Sequence, residues 1–127
     1  MDTPPHRISA AESEVMKVLW AHSPRAAEDI LNVLAKDQGW AEGTVKALLN
    51  RLLKKGAIAA EKDGRRFLYR PLIGRDDYID TESQGLLDRL FDGRLAPLVS
   101  HFSKREKLAP QDIAELRRLL EALDDDQ

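Results

Sequence analysis

The residues on either side of Gly56 constrain this chain more than any others. Upstream, Val45, Leu48, Leu49, Leu52 and Leu53 recur at the helical period, which predicts a helix from near Ala41 to Lys55 with one leucine-rich face. The opposite face carries Thr44, Lys46, Ala47, Asn50, Arg51 and Lys54. Downstream, Ala57-Ile58-Ala59-Ala60-Glu61-Lys62 and Arg66-Phe67-Leu68-Tyr69-Arg70 flank Asp63-Gly64. Asp-Gly between two short, weakly alternating runs is a strong hairpin signal. Gly56 supplies the helix stop, and Pro71 ends the second strand because it has no amide to donate to a ladder.

Two more helices precede this unit. Ser9-Ala10-Ala11-Glu12 has the form of a capping box, in which Ser9 accepts from the Glu12 amide and Glu12 reaches back to Ser9. Ala11, Val15, Val18 and Leu19 then place a helix over about 10–22, ended by Ser23-Pro24. Ala27, Ile30, Leu31 and Leu34 place a second over about 26–37, broken at Asp37-Gln38-Gly39. Three short helices followed by a hairpin is the element order of a winged helix. In that fold one helix enters the major groove of DNA and the wing touches backbone or minor groove.

Whole-chain charge at first argues against nucleic acid: 20 Lys plus Arg against 22 Asp plus Glu give -2. The distribution reverses that reading. Residues 1–73 hold 12 basic and 9 acidic side chains (+3), and residues 74–127 hold 8 and 13 (-5). Within residues 43–70, Lys46, Arg51, Lys54, Lys55, Lys62, Arg65, Arg66 and Arg70 face only Glu61 and Asp63. This basic window covers the third helix and the hairpin, the two elements a winged helix sets against DNA.

The remaining chain reads as helix. Tyr78, Ile79, Leu86, Leu87, Leu90 and Phe91 mark one helix from Arg75 to about Phe91, and Gly93 breaks it. Leu95, Leu98, Val99 and Phe102 mark a short one, and Pro110 opens a last one with Ile113, Leu116, Leu120 and Leu123. Three short amphipathic helices have too little chain to cover their own stripes, and a second copy would bury them. The expected architecture is therefore mainly α with a small β-hairpin. Residues 1–73 form a winged helix-turn-helix DNA-binding domain and residues 74–127 a helical dimerisation region.

Other function classes find little support. With 127 residues there is no room for a two-domain enzyme with a large cleft. The absence of Cys excludes disulfides, thiolate metal sites and cysteine nucleophiles. His6, His22 and His101 have no metal-ligand spacing, Asp76-Asp77 lacks an accompanying pocket signal, and no glycine-rich phosphate loop occurs. No metal, cofactor or catalytic constellation is expected. No apolar run approaches the roughly 20 residues of a membrane span, and the first five residues have no signal-peptide character, so a cytoplasmic location without membrane insertion is expected.

Five blocks in order bring the chain close to a known family: Ser9-Ala-Ala-Glu-Ser-Glu-Val-Met-Lys-Val-Leu-Trp20, Thr44-Val-Lys-Ala-Leu-Leu-Asn-Arg-Leu-Leu-Lys-Lys-Gly56, Gly64-Arg-Arg-Phe-Leu-Tyr-Arg-Pro-Leu72, Leu95-Ala-Pro-Leu-Val-Ser-His-Phe102 and Ile113-Ala-Glu-Leu-Arg117. Along nearly its whole length the sequence resembles the BlaI/MecI/CopY family of bacterial winged-helix repressors. The resemblance implies a homodimeric repressor on an inverted-repeat operator with TACA/TGTA-like half-sites. In one branch it also implies inactivation by a membrane sensor-protease system, with cleavage in the dimerisation region at the position of His101 and Phe102. The family pattern there is Asn-Phe, so His101 departs from it. The copper branch uses a C-terminal cysteine cluster, which this chain lacks. The family also tends to open the third helix with Ser-Pro-Lys-Thr, where this chain has Ala41-Glu42-Gly43-Thr44.

Thr44 and Lys46 are expected in the major groove, Lys46 on guanine O6/N7 or phosphate and Thr44 on a thymine methyl or phosphate. Arg51 is expected to clamp a phosphate, and Lys54 and Lys55 to add long-range attraction. Arg65 and Arg66 are placed at the wing tip, and Phe67 and Tyr69 are expected to support the wing. Trp20 and Trp40 are expected to pack inside the winged helix. Leu86, Leu90, Leu95, Leu98, Val99, Phe102, Ile113, Leu116 and Leu120 are the expected dimer contacts. A second reading stays open, a winged helix used as a protein-interaction module, as does control by a small ligand instead of proteolysis.

Overall fold

The first helix begins, and the third ends, for a local reason. In the computed structural model, which describes residues 7–125, Ser9 Oγ accepts from the Glu12 amide at 3.1 Å while the Ser9 amide donates to Glu12 Oε1 at 2.8 Å. This reciprocal cap opens α1 (Ala10–Ala21). The N-terminal reading of residues 1–5, His6 and the last acidic residue, Asp126, lie outside the described residues. α2 spans Ala27–Gln38 and α3 spans Glu42–Lys55. α3 stops at Gly56, whose φ of +76 puts the backbone in the left-handed region where a side chain is disfavoured.

The wing contains one strand more than the two expected. β1 (Arg25–Ala26) precedes α2 and pairs antiparallel with β3 (Arg66–Pro71), Arg25 opposite Tyr69 and Ala26 opposite Leu68. β2 (Ile58–Asp63) lies on the other side of β3, so the order is β1-β3-β2. Two residues carry no periodicity, so β1 had no sequence signal of its own. The hairpin also turns one residue later than Asp63-Gly64 suggests. Asp63 pairs with Arg66, which leaves Gly64 and Arg65 as the loop. Gly64, at φ +66, occupies the first loop position, where a type II′ turn requires glycine.

The core lies where the three helices meet the sheet. Val15, Met16 and Leu19 of α1, Ile30 and Leu34 of α2, and Val45, Leu48, Leu49 and Leu52 of α3 are buried together with Ala57 and Ile58. Leu53, Trp20, Trp40 and Tyr69 pack at its edge. Trp20 Nε1 donates to the Ile73 carbonyl at 2.9 Å, and the Trp20 and Tyr78 rings lie 5.3 Å apart. These contacts hold the start of α4 (Arg75–Leu90) to the winged helix. The first compact unit accordingly runs to Asp80, beyond the division after residue 73 expected from the sequence.

The second unit starts at Thr81 and contains the end of α4, α5 (Leu95–Lys104) and α6 (Pro110–Asp125). None of these three helices has a buried residue. Leu86, Leu98, Val99 and Leu116 are half-buried, while Leu90, Leu95, Phe102, Ile113 and Leu120 are exposed. Leu119 and Leu123 join that exposed set.

Candidate nucleic-acid interface

Burial of the leucine stripe dictates which side of α3 remains outside. With Val45, Leu48, Leu49 and Leu52 inward, Glu42, Gly43, Thr44, Lys46, Ala47, Asn50, Arg51 and Lys54 are all exposed. No side chain caps the helix: Ala41 has extended backbone and no side-chain hydrogen bond to the first turn. The first amides of α3 therefore lack the partner that a Ser, Thr, Asp or Asn would supply.

The wing and α3 belong to one surface. An open groove of about 310 Å³ runs between α2 and α3, lined by Glu28, Leu31, Glu42, Val45 and Lys46 among others. A second, of about 210 Å³, is lined by Ala26, Glu28, Arg66, Phe67 and Tyr69. Ala27 and Glu28 line both, so the α2 N-terminus sits between the recognition face of α3 and the hairpin.

The structure divides the basic window into paired and unpaired cations. Lys46 Nζ lies 2.6 Å from Glu42 Oε2, one helical turn away, with both side chains well exposed. The Lys46 hydrogen bond and charge hold the Glu42 carboxyl below its ordinary range, and the same pair raises Lys46. Arg66 lies 3.5 Å from Asp63, and Arg70 donates to Glu61 at 2.9 Å. Lys55 turns inward: its ammonium donates to Glu12 Oε1 at 2.5 Å and to the Arg7 carbonyl at 2.9 Å. Arg51, Lys54, Lys62 and Arg65 have no ion-pair partner among the described residues.

Lys55 thus departs from the role expected of it. Its partner Glu12 is 1% exposed, and its Oε2 has no hydrogen-bond partner among the described residues. Burial pushes the Glu12 carboxyl up. The hydrogen bonds from Lys55 and from the Ser9 amide, with the charge of Lys55, outweigh burial and leave it below the ordinary range. The pair ties the start of α1 to the end of α3. A buried polar side chain in a capping box gives no sequence sign that it also holds a distant lysine.

Sequence reasoning also missed the Glu42–Lys46 pair, although spacing of i and i+4 on a helix is the signal that finds it. Phe67 differs from its expected supporting role. It is 50% exposed because it stands opposite Lys62 near the hairpin tip, beyond the reach of the core, whereas Tyr69 packs on the core as expected. In the second unit His101 and Phe102 lie within α5, their rings 5.4 Å apart, and the Phe91 ring is 6.2 Å from that of His101. Among the described residues there is no group of His, Asp or Glu able to hold a metal, and no helix long and apolar enough to cross a membrane.

A three-helix core, a three-stranded wing and an exposed polar face on the third helix define a winged helix-turn-helix DNA-binding protein. Residues 8–122 match the penicillinase repressor family, and the chain belongs to it. The penicillinase repressor of Bacillus licheniformis is 40% identical over 115 residues, covering 91% of this chain and 90% of that protein. The methicillin resistance regulatory protein MecI of Staphylococcus aureus strain N315 is 32% identical over 120 residues, covering 94% and 98%. The solution structure of the monomeric form of Bacillus licheniformis BlaI in complex with the blaP half-operator is similar at a TM-score of 0.53, with 44% identity, over 62% of this chain and 95% of that one. The protein is a DNA-binding transcriptional repressor of this family.

Proposed function

We propose that the repressor binds an inverted-repeat operator as a homodimer and blocks transcription by occupancy, without catalysis. The observation that carries this reading is the exposed polar face of α3 beside the wing, in a unit whose relative is solved on a half-operator. Thr44 and Lys46 enter the major groove. Arg51 and Lys54 hold phosphates from the rear of the same helix. Arg65 and Arg66 reach backbone or minor groove from the wing. Lys55 acts from within the fold by holding α1 against α3. The winged-helix unit reads DNA and the helical unit from Thr81 onward pairs two copies. The apolar residues exposed on α5 and α6 support pairing, because a single chain leaves them in water.

Release from the operator by a sensor-protease system through cleavage between His101 and Phe102 fits their exposure on α5. The site is helical, so a protease needs α5 to open locally before the peptide bond fits its cleft. Titration of the purified protein onto its own promoter tests the reading. A footprint with twofold symmetry and steep salt dependence is expected, and equal affinity for random DNA at moderate salt would reject it. Intact mass after induction separates cleavage from release by a small ligand: an uncut chain under full induction excludes proteolysis.

A further inference from the structure

The front and rear of α3 are electrically different. Over residues 42–49 the only cation is Lys46 and the only anion is Glu42, and these two neutralise each other at 2.6 Å. Among the described residues the cations of the surface without an ion-pair partner, Arg51, Lys54, Lys62 and Arg65, lie further back on α3 or on the wing. Glu28 and Asp29, in the first turn of α2, add further negative charge, and Glu28 lines the same groove as Glu42 and Lys46. Gly43 puts no side chain between Glu42 and Thr44, and a Cβ built there meets nothing within 4 Å. The first turn of α3 thus presents a carboxylate and an ammonium side by side with little else. With those charges cancelled and Glu28 alongside, the arrangement offers a phosphate side chains with no net attraction. A base-pair edge with an amine beside a carbonyl or ring nitrogen matches it.

We propose that Glu42 is a specificity-determining residue. Its carboxylate accepts from an exocyclic base amine, cytosine N4 or adenine N6, in the major groove, while Lys46 donates to a neighbouring acceptor. Sites that present only acceptors at that position are rejected, because the carboxylate is then desolvated against like charge. The N-terminal residues of a recognition helix are the ones that reach base edges, and Glu42 is the first residue of α3. Glu42 acts a second time in the free protein. By holding Lys46 it withdraws one cation from nonspecific attraction, so binding to random DNA rests on the rear of the helix and the wing. The inference depends on DNA being the partner of this face.

The test is selection of preferred sites from a randomised duplex library by the full-length protein, its Glu42→Ala variant and its Glu42→Gln variant. Each is then titrated on the selected sites and on random DNA at several salt concentrations. Glu42 is exposed, and far-UV dichroism checks that the variants keep their helices. Glu42→Ala is expected to lose discrimination at one base pair of each half-site by about 5- to 150-fold. It also binds random DNA more tightly, with a log–log salt slope steeper by about 0.9, because Lys46 is freed to meet a phosphate. Glu42→Gln shifts the preference at that base pair toward adenine, which glutamine reads with two hydrogen bonds. Identical site preferences in the wild type and Glu42→Ala would overturn the assignment. So would a uniform gain of affinity across all sequences, which would make Glu42 a simple electrostatic brake. A wild type with no preferred site at all would overturn the operator-binding reading along with it.

Discussion

Helices α3 and α6 carry the same kind of apolar stripe and meet opposite fates. In α3, Val45, Leu48, Leu49 and Leu52 are all buried. In α6, Leu119 and Leu120 are each 61% exposed and Leu123 is 60% exposed. The difference lies in what the neighbouring chain offers. α3 has α1, α2 and a sheet to pack on, and the unit from Thr81 onward has no comparable layer. Fully burying a leucine contributes about 1.5–3 kcal/mol, so several left in water are a strong drive toward association. Amphipathicity therefore dictates that a face will be covered, while the element that covers it depends on the rest of the fold or on a second molecule.

Charging the uncovered face of α6 should change the molecule most. Leu120→Glu combined with Leu123→Glu is expected to yield a monomer by sedimentation equilibrium. Affinity for the full operator falls by about 10²- to 10⁴-fold as the avidity of two linked heads is lost, while half-site affinity is unchanged. A double variant that stays dimeric would show that α6 does not form the interface. Next in size, Leu49→Ala should cost about 2–5 kcal/mol in urea denaturation, from lost burial and the cavity left behind. That cost is the same at every protein concentration. The cost of Leu120→Ala varies with concentration, because its burial depends on association.

The Glu12–Lys55 pair sharpens the contrast between cations that hold the fold and cations that face outward. Lys55→Met leaves a carboxylate buried without its partner and should cost about 3 kcal/mol. The wild-type pair also makes a pH prediction. Because the folded carboxyl lies below its ordinary value, its contribution is complete above the unfolded pKa and is lost as pH falls through the folded one. Urea midpoints followed into acid should show that loss in the wild type and not in Lys55→Met. The smallest effect is expected for Lys54→Ala, with stability unchanged within about 0.5 kcal/mol. Its DNA affinity falls across all sequences, and the salt slope becomes shallower by about 0.9. The two neighbouring lysines thus separate cleanly, one read by denaturation and the other by salt titration.

Much of the fold was legible because its signals are local. The Ser9–Glu12 cap, the α3 stripe and its Gly56 stop, the hairpin and the break at Gly93 each depend on residues within a few positions of one another. The misreadings came where distant residues decide. β1 exists only because β3 offers it a ladder, and the hairpin loop moved by one residue because strand register outweighed the Asp-Gly preference. Tyr78 stays with the winged helix because Trp20 receives it. A charge count in a sequence window also omits acids that lie outside it. Four of the eight cations in residues 43–70, Lys46, Lys55, Arg66 and Arg70, face a carboxylate, and two of those carboxylates, Glu42 and Glu12, fall outside the window.

The amino-acid order alone dictates the succession of the helices and the hairpin, the apolar face of each helix in the winged unit and the concentration of basic residues on α3 and the hairpin. It could do so because helix period, capping and turn chemistry act over one or two turns of chain. Packing in three dimensions settles which of those cations remain available, since an ion pair depends on distance in space. It alone turned Lys55 inward to a buried glutamate, set Glu42 against Lys46 at the front of α3, and left the leucines of α6 exposed.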